Sequence, residues 1–123
     1  MGYRLCHRIA QDNLLLGNTV IADSVNPWNL TRQEWNNVAN EIGASFINIE
    51  VTCTDKIEHQ KRIETRVQSI PGLKNPVWKD VLERDYHPWT EERIQLETNN
   101  KTIDEAFHEM LAHLNKASGS KVI

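Results

Sequence analysis

The sequence predicts an α/β layered domain. Three observations carry that expectation. Short runs rich in β-branched and apolar residues, at 19–25, 45–53 and 93–98, have the length of strands. Between them, apolar residues recur at three- and four-residue spacing, as on the buried face of a helix. Strands separated by helices imply parallel crossovers, with helices layered over the sheet. A chain of 123 residues is expected to form one domain and can bury about two-thirds of the surface it exposes when unfolded.

Each element has a local reason. Tyr3 to Leu16 reads as a helix, with Leu5, Ile9 and Leu14-Leu15-Leu16 near one face and Gly17-Asn18 as its stop. Thr19 to Val25 reads as a strand buried on both faces, broken by Asn26-Pro27. Thr31 with Glu34 makes a capping box for a second helix carrying Trp35, Val38, Ala39 and Ile42, ended by Gly43. Ser45 to Cys53 is the second strand. Asp55 caps a third helix from Lys56 to about Ser69, closed by Pro71-Gly72. A short helix from Pro76 to Asp85 presents Trp78, Val81 and Leu82, and Pro88-Trp89 turns the chain. Arg93 to Thr98 is the third strand, followed by an Asn99-Asn100 loop. Thr102 and Glu105 form a second capping box, opening a helix with a stripe of Ile103, Ala106, Phe107, Met110, Leu111 and Leu114. Residues 118–123 read as a flexible tail after a domain spanning 1–117.

Composition excludes several classes. Lys and Arg number 14 against 17 Asp and Glu, a net charge of −3, so a general nucleic-acid binder is not expected. No apolar run approaches the ~18 residues of a membrane span, and the start does not read as a signal peptide. Cys6 and Cys53 read as reduced thiols and small core residues in a cytoplasmic protein. The five histidines lack metal-ligand spacing and no paired-Cys motif exists, so zinc is not expected.

Several residues are candidates for chemistry. Asp23 ends an apolar strand at the sheet edge where open α/β folds bind ligands. It reads either as a carboxylate that holds a metal or its water, or as a cap of the next turn. Ser24, Asn26, Thr31 and Arg32 follow at the same edge. Arg32 in the first turn of a helix opposes the dipole, which points either to an anionic substrate or to a solvated side chain. His59, Arg62 and Arg66 share a helix face at spacings of three and four. Two guanidiniums so placed can straddle phosphate oxygens, or serve an exposed helix through pairs such as Glu58 with Arg62. Trp28 and Trp89, each beside a proline, can stack on a base or pack a lid.

Together these segments resemble a family. Asn13-Leu14 with Gly17, Val20-Ile21-Ala22-Asp23-Ser24-Val25-Asn26-Pro27, Thr31-Arg32 and Trp35 resemble the AAA-type "predicted kinase" group of P-loop phosphotransferases. That group is similar to the kinase domains of polynucleotide kinases, to adenylylsulfate kinases and to chloramphenicol phosphotransferases. The resemblance continues through Cys53, Asp55, Glu58-His59, Arg62, Glu64, Arg66, Gly72-Leu73, Trp78, Arg84-Asp85-Tyr86 and Pro88-Trp89, over residues 2 to 115. It implies a three-layer P-loop-kinase-like parallel sheet of about three strands and five helices, truncated at its N-terminus. It also implies ATP and Mg²⁺ as cofactors. Asp23 would be the acidic residue of the Mg²⁺-organising strand, acting on the ion indirectly. Ser24, Asn26 and Arg32 would face the phosphate acceptor. Arg62 and Arg66 would be catalytic lid residues over the triphosphate, and Thr98 would lie near the nucleotide.

One element of that family has no counterpart. The sequence contains no G-x-x-x-x-G-K-[ST] loop, whose N–H groups, Lys and hydroxyl cradle phosphates and Mg²⁺. The resemblance places Met1 in mid-domain, after that loop and its strand. Turnover by this chain alone is therefore expected to be weak or nil, and tight binding of ATP or Mg²⁺ is not expected. The alternative reading is a non-catalytic degenerate kinase fold that binds or assembles. Without the central strand, open sheet edges are expected to recruit a second copy into a homo-oligomer.

Overall fold

The computed structural model describes residues 2–67 and 70–118. It contains helices α1 (Gly2–Leu15), α2 (Asn29–Asn40), α3 (Lys56–Thr65), α4 (Trp78–Glu83) and α5 (Ile103–Ser118), with strands β1 (Ile49–Thr52) and β2 (Ile94–Glu97). The mixed α/β class is as expected, and β1 and β2 pair in parallel, Ile49 beside Ile94 through Thr52 beside Glu97. The chain divides into two units, Met1–Ile47 with Asp85–Glu91, and Asn48–Arg84 with Glu92–Ile123.

In the first unit α1 packs on α2. Ala10 on α1 and Val38 and Ala39 on α2 are the buried apolar positions. Gln11 bridges the helices, its Nε2 donating to Val38 O at 3.4 Å and to Glu41 Oε2 at 2.7 Å. Gly17 and Gly43, at φ 87° and 72°, take the left-handed turn that ends each helix. The expected capping box at Thr31 and Glu34 does not form. α2 starts earlier, at Asn29, and the Thr31 hydroxyl donates to Trp28 O at 2.9 Å.

Residues 19–25 depart most from expectation. The segment is not a paired strand, and it is not buried on both faces: Ile21 is 88% exposed. An apolar β-branched run favours extended backbone, but a strand also needs a ladder partner, which the run does not itself supply. Among the described residues the sheet therefore has two strands rather than three.

In the second unit the parallel pair is continued at both ends, by Ile94 N donating to Asn48 O at 2.9 Å and Thr98 N to Thr52 O at 2.8 Å. α5 packs on β2, and α3 on α4, with Leu96 and Ile63 buried. β1 is shorter than expected, and Phe46 and Ile47 before it are exposed. Asp55 caps α3 as expected, its Oδ1 accepting from Ile57 N at 2.9 Å and Glu58 N at 3.2 Å. The Thr102/Glu105 capping box also forms, with both reciprocal bonds at 3.1 Å. On α5 the stripe is narrower than expected: Ala106, Met110, Leu111 and Leu114 are half-buried, while Ile103 and Phe107 are exposed. α3 ends at Thr65; the expected end near Ser69 and the tail after Ser118 lie outside the described residues.

Candidate functional site

The candidate residues fall into two constellations, one in each unit. In the first, Asp23 is exposed on the extended segment, and Ser24 and Asn26 are half-buried. Ser24 Oγ and Asn26 Oδ1 are buried without a hydrogen-bond partner among the described residues. Asp23 and Ser24 border a groove of about 340 Å³ between α1 and residues 20–24, with Trp35 also lining it. Asn26 holds a left-handed φ of 44°, a conformation Asn tolerates better than most residues.

That turn aims carbonyls at Arg32. Arg32 Nε donates to Asn26 O at 2.8 Å, Nη1 to Asn29 Oδ1 at 3.3 Å, and Nη2 to Pro27 O at 3.3 Å and His87 O at 2.8 Å. Its guanidinium carbon lies 4.2 Å from the Trp89 ring centroid and 4.9 Å from that of Tyr86. The residue is 3% exposed. Neutral carbonyl and amide dipoles and two π faces hold this cation, and among the described residues no carboxylate pairs with it. Segment 85–91 is fastened to the start of α2 by the same contacts, together with His87 N donating to Pro27 O at 2.7 Å and Asn29 N to His87 Nδ1 at 3.3 Å. Trp89 Nε1 donates to Tyr86 Oη at 2.9 Å, which sets the rings against the guanidinium. In this conformation Arg32 is a clamp, closed to an incoming anion.

The second constellation lies at the carboxyl edge of β1 and β2, where parallel sheets present ligand sites. Arg62 reaches there from α3. Its Nη1 donates to Thr98 Oγ1 at 2.8 Å, and its Nη2 to Thr98 O and Glu58 Oε1, each at 2.7 Å. Thr98 Oγ1 donates in turn to Thr52 O at 2.8 Å. Glu58 also accepts from Asn100 N at 2.9 Å, where Asn100 turns at φ 55°. Glu97 accepts from Thr54 N and Asn99 N at 3.0 Å and from the Thr52 hydroxyl at 3.1 Å. Partial burial alone would raise the Glu97 carboxyl, but these donors outweigh it and hold the group below its ordinary value.

Beside this network, on α3, His59 meets the Trp78 ring edge-on at 5.0 Å between centroids. Burial, then the positive charges of Arg84, Arg62 and Arg66, press the imidazole pKa below its ordinary value. A cationic face around a neutral imidazole is a setting in which an anion is welcome.

Two of the sequence candidates, Arg62 and Thr98, are thus brought into direct contact. Asp23, Ser24, Asn26 and Arg32 belong to the other unit. Sequence reasoning missed Tyr86 and His87 as partners of Arg32, and Glu97 and Asn100 as members of the edge network. The closely spaced aromatic residues of Tyr86-His87-Pro88-Trp89 were the available signal for the first pair. Cys6 is exposed rather than a core residue; both cysteines are free thiols.

Among the described residues no three His, Cys, Asp or Glu converge to hold a metal ion. Asp23 is a single exposed carboxylate, a donor set that does not make a protein-built Mg²⁺ site. No described helix is long and apolar enough to cross a membrane. No family model, curated protein or solved structure significantly matches the chain.

Proposed function

We propose that this chain is a degenerate kinase-type phosphotransferase domain that keeps recognition of nucleotide phosphates without efficient turnover. The observation that carries the reading is Arg62 at the carboxyl edge of a parallel strand pair, bonded to Glu58 and Thr98, with Arg66 just past the end of the same helix. Arg62 and Arg66 engage the phosphates, and Thr98 stands by the nucleotide. In the first unit, Asp23, Ser24 and Asn26 stand on the loop that Arg32 fixes. Free Cys6 and Cys53 fit a reducing cytoplasmic setting. The sequence supplies no glycine-rich loop for the β and γ phosphates, so weak or absent turnover is part of the proposal.

Calorimetric titration with Mg·ATP tests it. Binding tighter than ~100 μM, about 5.5 kcal/mol, is expected, with loss in Arg62→Ala. An absence of heat in the wild-type chain overturns it. Bound phosphate should also raise the His59 pKa, followed by its ring-proton shifts, because an anion offsets the three guanidiniums.

A second reading is favoured by a different observation. Segment 19–25 carries an exposed Ile21 and Val25 and lies outside any sheet. Such a segment supports a role in homo-oligomer assembly. Sedimentation at micromolar concentration separates the readings, since a monodisperse monomer removes the second.

A further inference from the structure

We infer that segment 85–91 is a strap latched to the start of α2 by the neutral ring of His87, and that protonation of this ring opens it. The latch depends on neither nucleotide binding nor assembly. Strap and helix belong to the same unit.

α2 opens without a cap of its own. Trp28 at its N-cap supplies no side-chain hydrogen bond, and its first turn holds no acidic residue. The free N–H groups of a helix start need acceptors. Asn29 N finds one 58 residues away, donating to His87 Nδ1 at 3.3 Å. An imidazole nitrogen accepts only while it carries no proton, so the latched ring is the Nε2–H tautomer. The backbone of the same residue fastens the strap twice more. His87 N donates to Pro27 O at 2.7 Å, and His87 O accepts from Arg32 Nη2 at 2.8 Å.

An added proton must sit on Nδ1. Donor would then face donor at Asn29, and a cation would stand at the positive end of the α2 dipole. Among the described residues, the charged groups bonded to or paired with His87 are Arg32 on α2 and Asp85 on the strap itself. Arg32 adds to the repulsion. Asp85 Oδ2, 3.9 Å from Nε2, attracts the imidazolium. The charged ring therefore exchanges α2 for Asp85. The His87 side chain is 44% exposed, so the proton comes directly from solvent. Histidine is the side chain that ordinarily changes charge between about pH 5 and about pH 8. Opening withdraws His87 O and the rings of Tyr86 and Trp89 from Arg32, leaving it Asn26 O, Pro27 O and Asn29 Oδ1. Release thus returns a guanidinium to water.

The test is NMR of the full chain from about pH 8 to about pH 5. Ring nitrogen shifts report the tautomer, and hydrogen exchange at the Asn29 and His87 amides reports the strap. At the upper pH His87 is expected to be the Nε2–H tautomer. On acidification, protection of both amides, relative to their intrinsic exchange rates, is expected to fall roughly fivefold or more as the His87 ring charges. His87→Asn keeps an acceptor near the Nδ1 position but cannot charge, and is expected to hold that protection across the range. Asp85→Asn removes the partner of the imidazolium and is expected to move the loss to lower pH. An Nδ1–H tautomer, or protection that stays constant while the ring charges, overturns the latch. So does an equal loss in His87→Asn. If His87→Asn leaves the strap open at both ends of the range, the wild-type tautomer and protection decide alone.

Discussion

Arg32 and Arg62 each donate to backbone carbonyls outside their own helices, but in different electrical settings. Arg32 is 3% exposed and donates to carbonyls and an amide, between two aromatic rings. The Arg62 side chain is 38% exposed and paired with the Glu58 carboxylate at 2.7 Å. A buried cation bound only by dipoles depends on every one of them, because water cannot replace a lost partner. A half-exposed cation bound to a carboxylate can exchange that partner for a phosphate at small net cost. The comparison separates a guanidinium that holds the fold from one that can serve a ligand.

The largest expected effect breaks the first side of that comparison. Arg32→Ala should destabilise the chain by about 3 kcal/mol, because Asn26 O, Pro27 O and His87 O lose their donor. Urea unfolding measures this. Arg32→Lys should recover less than half, since one ammonium cannot reproduce the planar fork. Trp89→Ala removes a π face and should cost about 2 kcal/mol in the same assay. If both changes are near neutral, the clamp is not what holds segment 85–91.

Arg62→Ala should cost only about 1 kcal/mol in stability, given its exposure, yet abolish nucleotide binding. Glu58→Gln sharpens the contrast: freeing Arg62 from its carboxylate should tighten Mg·ATP binding severalfold, read by calorimetry. Weaker binding in that variant would mean that Glu58 positions Arg62 rather than competes for it.

The smallest expected effect is a pH dependence. Glu97 has a folded pKa below its ordinary value of 4.5, so its contribution is present above that pH and lost as pH falls through the folded value. Glu97→Gln should flatten the stability profile below about pH 4.5. His59, also lowered, works in the same direction at higher pH: its contribution is present above its ordinary 6.5 and lost as acid charges the ring. A wild-type midpoint in urea that is flat from pH 7 down to pH 3 would contradict both.

What was legible in the sequence was what neighbours decide. Asp55 and the Thr102/Glu105 box cap their helices because donor and acceptor lie within three residues of each other. The 93–98 run became β2, since β1 lay beside it to complete a ladder. The 19–25 run had the same local character and no such partner. Arg32 stands out in the sequence because it opposes a helix dipole, but its distant acceptor, His87 O, lies 55 residues away. A local conflict can mark a residue as unusual without naming what resolves it.

The sequence by itself determined the α/β class, the caps of α3 and α5, and the extended character of 19–25 and 93–98. These depend on propensity and on hydrogen bonds a few residues long. Only the tertiary structure decided which extended run found a ladder, and which arginine was sealed by carbonyls and rings and which was left beside a carboxylate. Strand pairing and cation burial both require partners brought together from distant parts of the chain, and no local pattern specifies their positions.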